Sequence, residues 1–469
     1  MPAASLIHSQ TLSARTPATW RSELRAMVML AAPLAVANFL QMAIFTTDVI
    51  FVARLGATAL AASTLGVSLV MLLGWALTGL TSAASALMAA ELGGRRHALR
   101  EVRRTMRMAG WQVLLFGGGA MGLCLLAERF MLATGQNAHI AAMAGDFTRL
   151  LMWCIIPAAL ANLLRVFVST LGRAAIATAI TLMALLVNAL GNWVFVFGHL
   201  GAPPMGLMGS ALASIITNVA MVAAYALVIL RDRRFRRYAL LGRWWRFDST
   251  RFFDLMRVGL PIAGTIIAEG GLFTSAAFLM GRIGEAQLAG HAVALQIAAL
   301  AFQIPYGVSQ AATIRVGLAY GARDATGVAR AGWSAIALGI TFMAVTASII
   351  WLFPRVILSI YVDVDDAANT AMLGFAMSYL AVAAAFQLFD GAQAVTAGAL
   401  RGLQDTRTPL MIALAGYWIV GFGLAVMLGL WTPLSGLGVW LGLAAGLVAV
   451  SAMLLWRWSM RERWGLLLP

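Results

Sequence analysis

Three acidic side chains stand well inside long apolar stretches of this 469-residue sequence, at Asp48, Glu269 and Asp390. An acidic residue at the centre of a membrane-spanning helix costs about 2.5–3.5 kcal/mol, so it usually faces a partner group, an ion or a water-filled path. A buried carboxylate can be neutralised by a proton or by a bound cation, and the two compete for it. The three residues therefore predict a site that exchanges cations or protons, unless a neighbouring hydroxyl or amide simply satisfies each carboxylate.

Two amides and one aromatic ring accompany these carboxylates. Asn188 and Asn192 are four residues apart, hence on one helix face, and can offer oxygens to Na⁺ or hydrogen bonds to a protonated Asp48. Phe386 precedes Asp390 by one helical turn and can hold an organic cation against its ring face. Each has a structural alternative, because intramembrane asparagines also join helices and Phe386 can belong to the core or face lipid.

The composition places these residues in a polytopic membrane protein. Hydrophobic residues make up 61% of the sequence and charged residues only 11%, against about 25% charged in a typical soluble domain. The net charge of +15 comes from arginine alone, since the sequence contains no lysine, and it lies in the connections between apolar stretches. Membrane orientation explains these arginines, so we expect no nucleic-acid partner.

Apolar stretches separated by arginine, glycine or proline predict twelve membrane-spanning helices. The predicted spans are 26–52, 60–89, 106–127, 144–168, 175–198, 207–230, 254–280, 288–314, 331–353, 369–398, 409–430 and 436–456. An even number of spans puts both termini on one side. That side carries 28 of the 33 arginines, which predicts that both termini are cytoplasmic.

A basic connection divides the spans into two halves. The predicted organisation is a cytoplasmic tail at 1–25, an N-lobe at 26–230, a basic cytoplasmic linker at 231–253, a C-lobe at 254–456 and a cytoplasmic tail at 457–469. Arginines beside Trp244 and Trp245 in the linker fit contact with anionic lipid headgroups, although a solvated linker explains them equally well.

The two halves are related by an internal repeat with an offset of 228 residues. The offset pairs Pro33 with Pro261, Arg54 with Arg282, Gly56 with Gly284, and Gln41 with Glu269. Six spans separate the copies, so the halves enter the membrane in the same orientation. We therefore expect two parallel six-helix bundles related by a pseudo-twofold axis along the membrane normal, as in many transporters. Pro33 and Pro261 are candidate hinges, or else static kinks.

Four segments carry a specific family resemblance. They are FTTDVIFVARLG at 45–56, VNALGNWVFVFG at 187–198, HAVALQIAALAFQIPYGVSQAATIRVGLAYGARD at 291–324 and FDGAQAVTAGALRGLQDTRTP at 389–409. The sequence resembles MATE-type multidrug exporters, and the NorM branch most closely, over about residues 20–460. The resemblance implies cation coupling through Glu269 and Asp390. It also implies an N-lobe cluster of Asp48 with the polar residues Asn188, Asn192 and Ser214.

The expected function is therefore a secondary antiporter of the bacterial inner membrane. It would export amphipathic organic cations in exchange for inward Na⁺ or H⁺ by alternating access between the two lobes. Glu269 and Asp390 are the expected Na⁺ ligands if Na⁺ is the coupling ion, and the sequence leaves Na⁺ and H⁺ both open. We expect a monomer whose partners are small organic cations and membrane lipids, with no cofactor besides the coupling ion.

Two other functions are considered. A lipid-linked saccharide flippase of the same superfamily would share the topology, but a pyrophosphate cargo calls for arginine in the cavity, and the mid-membrane charges here are acidic. A membrane enzyme would need a cluster of histidine, aspartate or cysteine, yet the five histidines are scattered over the tail and loops without metal-binding spacing. We therefore expect no enzymatic activity.

Overall fold

The computed structural model describes residues 19–94, 97–240, 242, 244–364, 366 and 369–467. Residues 1–18 of the predicted N-terminal tail, residues 468–469 of the C-terminal tail, and Leu241 and Arg243 of the linker lie outside this description. Within the described ranges the regular structure is entirely helical.

Twelve helices follow the predicted spans. They are α1 (Trp20–Ala53), α2 (Ala57–Gly94), α3 (Ala98–Cys124), α4 (Ala138–Thr170), α5 (Ala174–Phe197), α6 (Leu207–Arg231), α7 (Ser249–Ile283), α8 (Glu285–Gly321), α9 (Ala325–Leu352), α10 (Thr370–Gly402), α11 (Arg407–Leu430) and α12 (Ser435–Ser459). Among the described residues, eleven are long and apolar enough to span a bilayer by themselves. The twelfth, α3, reaches the length and hydropathy needed to span a bilayer only together with the short helix Ala127–Ala133, whose axis is bent from that of α3 by 51°. The predicted all-helical membrane fold is confirmed.

Most of these helices extend beyond the predicted spans by several residues. For example, α1 begins at Trp20 instead of residue 26, and α8 continues to Gly321 instead of residue 314. The predicted ends stopped at polar residues, whereas a helix can continue into water while its backbone hydrogen bonds remain satisfied. Two helices contain local changes of winding, a 3₁₀ turn at Met152–Cys154 in α4 and a π turn at Leu414–Phe422 in α11.

The chain forms two compact units, and each takes one segment from the other half of the sequence. One unit is Val36–Ala263, and the other joins the residues up to Ala35 with those from Gly264 onward. The boundaries therefore fall inside α1 and α7, two residues after Pro33 and Pro261. That the lobes at 26–230 and 254–456 are the two bodies that move during transport stays a prediction. The compact units assign the first segments of α1 and α7 differently.

A pair of glycine contacts holds these exchanged segments. In the unit Val36–Ala263, a Cβ on Gly79 of α2 would overlap the backbone of Ala263 in α7. In the other unit, a Cβ on Gly307 of α8 would overlap the backbone of Ala35 in α1. The two contacts are related by the repeat, since both members are 228 residues apart in sequence. Glycine at these positions lets the helix backbones approach closely, as is common in membrane proteins.

Ion pairs also hold the first segments of α1 and α7 in these units. At the start of α1, Glu23 pairs with Arg315 of α8 through Nε–Oε1 and Nη2–Oε2 distances of 2.8 and 2.6 Å, and both residues are buried. At the start of α7, Arg251 pairs with Glu91 of α2 at 2.7 Å and with Glu101 of α3 at 2.8 Å. Glu23 and Arg251 are equivalent in the repeat, so each unit holds the start of its exchanged segment by an ion pair of opposite polarity, although the partner positions are not equivalent.

Candidate functional site

The first candidate site surrounds Asp48 of α1 in the unit Val36–Ala263. Asn188 and Asn192 of α5 donate their side-chain amides to Oδ1 of Asp48 at 2.9 and 2.7 Å. Ser214 of α6 donates its hydroxyl to the other carboxylate oxygen at 3.0 Å. The structure thus brings together all four residues of the predicted cluster. Their role in transport stays a prediction.

Close packing of α5 on α6 positions the donors. A Cβ on Gly191 would lie 3.1 Å from the methyl group of Ala213, and one on Gly209 would overlap the backbone of Phe195. These glycines sit beside Asn192 and near Ser214 in sequence, so the helices meet where the polar side chains stand. The resulting arrangement gives Asp48 three donated hydrogen bonds from α5 and α6.

The amides of this cluster have unused acceptors. Asn188 and Asn192 are fully buried, and neither side-chain oxygen has a hydrogen-bond partner among the described residues. An amide that turned over would offer its oxygen to a proton on Asp48 or to a bound cation. The cluster can therefore accommodate both states of the carboxylate with small movements.

Asp48 opens onto a cavity of about 370 Å³. Gln41, Trp75 and Arg165 also line this cavity, so the repeat partner of Glu269 lies in the same chamber as Asp48. Arg165 stands near the end of the predicted span 144–168 and was counted among the arginines of the cytoplasmic side; it lies within α4, where it donates to Asn38 at 3.1 Å and to Asn162 at 2.8 Å. The cavity therefore contains a guanidinium as well as a carboxylate.

The second candidate site lies in the other unit, where Glu269 of α7 and Asp390 of α10 interact electrostatically. Asp390 is only 7% exposed, and its Oδ1 atom has no hydrogen-bond partner in the described ranges. Neither carboxylate belongs to an ion pair with a described residue at 4.0 Å or less. The two predicted coupling residues thus lie within electrostatic reach of each other, with an open oxygen at Asp390.

Small residues position Asp390 on α10. A Cβ on Gly391 would lie 2.6 Å from the side chain of Met343 in α9, so only glycine allows this approach. On α8, Ser309 donates its hydroxyl to the carbonyl oxygen of Ala394 at 2.7 Å, and Thr313 donates to that of Gly398 at 2.8 Å. These contacts fix the depth and rotation of α10 and hence the direction of the carboxylate.

Arg401 is a site residue that the sequence analysis missed. Its guanidinium interacts electrostatically with Glu269 and donates hydrogen bonds to the carbonyl of Ala397 at 3.2 Å and the hydroxyl of Ser309 at 3.3 Å. It was assigned to a loop because it follows the last apolar run of the span. Its spacing could have revealed it, because eleven residues are three helical turns and place Arg401 on the same face as Asp390.

Neutral polar groups surround the carboxylate pair. Among the described residues, Nε2 of Gln387, Oε1 of Gln393 and the hydroxyl of Tyr417 are buried without a hydrogen-bond partner. Tyr417 also interacts electrostatically with both Glu269 and Asp390. No group of three or more histidine, cysteine or acidic residues that could hold a metal ion occurs in the described part of the chain. A Na⁺ ion at this site would therefore depend on the two carboxylates and on neutral oxygens, which suits a hard cation.

Two residues of this unit belong to an aromatic core. Phe386 is 2% exposed and stacks on Trp440 with ring centroids 5.6 Å apart, which matches the core alternative of the sequence analysis. His291 packs edge-on against the same ring at 5.4 Å. It lies buried within α8, so its placement among the tail and loops was wrong, and the predicted span 288–314 already contained it.

The comparisons with known proteins agree with this architecture. A family model described as MatE matches residues 33–194 and 261–427, so each copy of the repeat carries the family pattern from its proline onward. A protein of Mesorhizobium japonicum described as "Probable multidrug resistance protein NorM" is 44% identical and covers 96% of this chain and 97% of its own length. A protein of Brucella suis with the same description is 42% identical, over 94% of this chain and 93% of its own.

Solved structures show the same fold at low identity. A crystal structure of MATE in the bent conformation has a TM-score of 0.85 with 20% identity, covering 96% of this chain and 98% of that one. The eukaryotic MATE transporter AtDTX14 has a TM-score of 0.84 with 19% identity, covering 94% and 96%. The family pattern, the relatives and the fold agree: the chain belongs to the MatE family of membrane transporters, among relatives of the NorM type.

Proposed function

We propose that this transporter is a secondary antiporter that exports amphipathic, mostly cationic drugs in exchange for inward Na⁺ or H⁺. Exchange would proceed by alternating access between two lobes. The names of the NorM-type relatives support drugs as the cargo. The carboxylates inside the spans support cations as the exchanged species, since both a drug cation and a coupling ion are attracted to them.

One observation carries the proposal. Glu23, a deeply buried carboxylate outside both candidate sites, is neutralised by a bidentate arginine, whereas Asp390 is buried with an open oxygen beside Glu269. Two neighbouring carboxylates that lack a close ion pair cannot both remain charged in a low-dielectric interior without a proton or a bound cation. Coupled transport requires such a site, where a carboxylate pair has to bind an ion that can be exchanged.

The residues around this pair suggest the sequence of events. With Glu269 and Asp390 deprotonated, the site attracts an organic cation. An incoming Na⁺ or H⁺ neutralises the carboxylates and weakens the attraction, so the drug leaves. Arg401 contributes a fixed positive charge near Glu269, which keeps the affinity for any cation moderate and therefore reversible.

The Asp48 cluster is proposed as a second place where protonation or cation binding acts. Its three donors hold the charged carboxylate, and the two unused amide oxygens suit its neutralised state. Because Gln41 replaces a carboxylate at the position of Glu269, we propose that the two units no longer perform the same step. Pro33 and Pro261 are the proposed hinges, because they lie beside the points where α1 and α7 pass from one unit to the other.

We further propose that the protein is a monomer of the bacterial inner membrane with both termini cytoplasmic. The concentration of 28 of 33 arginines on one side of the predicted topology supports this orientation. Labelling of single cysteines introduced at Arg236 and Arg355 with an impermeant reagent in intact cells tests it. The cysteine at position 355 should react, and the one at position 236 should react only after the membrane is opened.

The lipid-linked saccharide flippase remains the alternative, and Arg165 is the observation that favours it. A guanidinium in a cavity can bind a pyrophosphate. Arg165 already donates to Asn38 and Asn162, however, and shares its cavity with the Asp48 carboxylate, which repels an anion. An anionic cargo is therefore less well accommodated than a cationic one.

Ethidium transport in proteoliposomes tests the proposal. The wild type should move ethidium when either a Na⁺ gradient or a pH gradient is imposed, and the effective gradient identifies the coupling ion. Glu269→Gln and Asp390→Asn should each abolish exchange and leave the protein folded. Asp254→Asn is the matched control, because Asp254 is an exposed carboxylate on α7 itself. Exchange at the wild-type rate in both site variants would refute the assignment, and transport of a lipid-linked saccharide in place of ethidium would support the flippase.

A further inference from the structure

A cavity of about 580 Å³ outside both candidate sites is lined by five arginines. It lies between the first turns of α3 and the segment that leads into α7, and its charged lining residues are Arg100, Arg103, Arg104, Arg107, Arg246 and Asp248. The volume is within the range of roughly 300–1,000 Å³ that small-molecule sites occupy. The cavity is therefore large enough for a ligand, and its lining selects an anion.

The positive charge of this lining is only partly compensated. Arg104 is neutralised by Glu101 and Asp248 at 2.8 and 2.7 Å. Arg103 donates a hydrogen bond from its Nε to the carbonyl oxygen of Tyr238 at 2.6 Å. A carbonyl group is neutral, so this contact does not balance the charge of the guanidinium. No carboxylate within the described ranges lies within ion-pair distance of Arg100 or Arg246.

The placement of four of these arginines on α3 is unfavourable without an anion. Arg100, Arg103, Arg104 and Arg107 follow one another at helical spacing, so they share one face, where like charges repel. Arg100 also stands in the first turn of the helix, the positive end of its dipole, where acidic groups are normally preferred. Arg107 is only 8% exposed while lining the cavity. A bound anion would relieve the repulsion between these arginines and the unfavourable position of Arg100.

The surroundings indicate that the anion is attached to a lipid. Phe247 lines the cavity and is 56% exposed, while Trp245 and Phe253 nearby in sequence are 76% and 66% exposed. Aromatic side chains are typical of the membrane interface, where headgroup and acyl chain meet. Trp244 anchors the segment on α3, since its ring packs on Gly110 and its carbonyl accepts a hydrogen bond from Trp111 at 3.2 Å.

We propose that this cavity binds the phosphate group of an anionic phospholipid, with Arg100 and Arg246 as the principal uncompensated charges and the exposed aromatic residues beside its acyl chains. This site does not depend on the proposed antiport. It makes a lipid of the surrounding membrane a specific partner of the transporter.

Thermal unfolding of the full-length protein in a neutral detergent tests this proposal. Added phosphatidylglycerol should raise the Tm of the wild type, whereas phosphatidylcholine or inorganic phosphate should not. Arg100→Gln with Arg246→Gln should bind phosphatidylglycerol about 30-fold more weakly, and each single variant about 5-fold more weakly, as expected for the loss of basic residues near an anionic surface. Arg233→Gln with Arg236→Gln is the matched control, because it removes two exposed charges from the same connection outside the cavity.

Two results would overturn the proposal. An unchanged phosphatidylglycerol response in the Arg100 and Arg246 variants would show that the lipid does not bind in this cavity. A full response to inorganic phosphate would make it a site for free anions. Each variant's Tm without lipid serves as its own reference, so a general loss of stability is separated from a loss of binding.

Discussion

Replacing Glu23 by glutamine should destabilise the protein strongly, although this residue lies in the first turn of α1, far from both carboxylate sites in sequence. Glu23 and Arg315 form two hydrogen bonds of 2.8 and 2.6 Å, and their side chains are 2% and 7% exposed. Two unit charges about 4 Å apart attract each other by about 4 kcal/mol at an effective dielectric constant of about 20. Removing one partner of a buried pair typically costs about 3–5 kcal/mol, because the other charge stays buried.

The loss is measured as the Tm of the purified protein in detergent. Glu128→Gln is the control, because Glu128 pairs with Arg149 at a similar distance of 2.8 Å while the two side chains are 33% and 48% exposed. Such an exposed pair contributes about 0–1 kcal/mol. The Glu23 variant should therefore lose several degrees more than the Glu128 variant. Adding Arg315→Gln should restore part of the loss, since no lone charge then remains. Equal Tm values for both single variants would refute the view that this ion pair anchors α1.

Three further results are expected. Gly79→Ala should lower the Tm by an amount corresponding to about 1–3 kcal/mol, because the new methyl group overlaps the backbone of α7, whereas Gly74→Ala on the same helix meets open space and should not. Equal effects would contradict close packing at Gly79. Hydrogen bonding to Arg104 holds the pKa of Asp248 below its usual range, so their pair stabilises the folded protein above about pH 4 and loses this effect as the pH falls through the lowered pKa. Asp248→Asn should consequently lower the Tm at neutral pH and not in strong acid, and a pH-independent difference would contradict this. Arg401→Gln should lower the Kd for ethidium several-fold in the absence of the coupling ion, because a competing positive charge is removed; an unchanged Kd would show that Arg401 does not act on the site.

The spans were predictable because hydrophobic length and arginine distribution are properties of the sequence itself. The repeat was visible too, since a constant offset survives in paired residues such as Pro33 and Pro261. The exchange of the first segments of α1 and α7 between units was not predictable. It depends on long-range contacts such as Gly79 with Ala263, and no local pattern reports which distant helix a glycine will meet.

The candidate sites show the same division. The Asp48 cluster could be predicted in part, because two asparagines on one helix face are conspicuous in an apolar span. Arg401 was missed because it stands just past the end of an apolar run, where hydrophobicity alone cannot separate a helix end from a loop. Arg165 lies inside its predicted span, but hydrophobicity does not show that its side chain lines a cavity. Glu23 was placed in a tail, yet it is one of the most buried charges described, because its partner Arg315 is distant in sequence.

Equilibrium binding of ethidium to the purified protein, measured by fluorescence over a range of Na⁺ concentrations and pH, tests the central claim most directly. If drug and coupling ion compete for Glu269 and Asp390, the apparent Kd of the wild type should rise linearly with the concentration of the coupling ion from its value without that ion. The variant that combines Glu269→Gln with Asp390→Asn should bind ethidium more weakly and lose this dependence. A wild-type Kd that changes with neither Na⁺ nor pH would contradict the account.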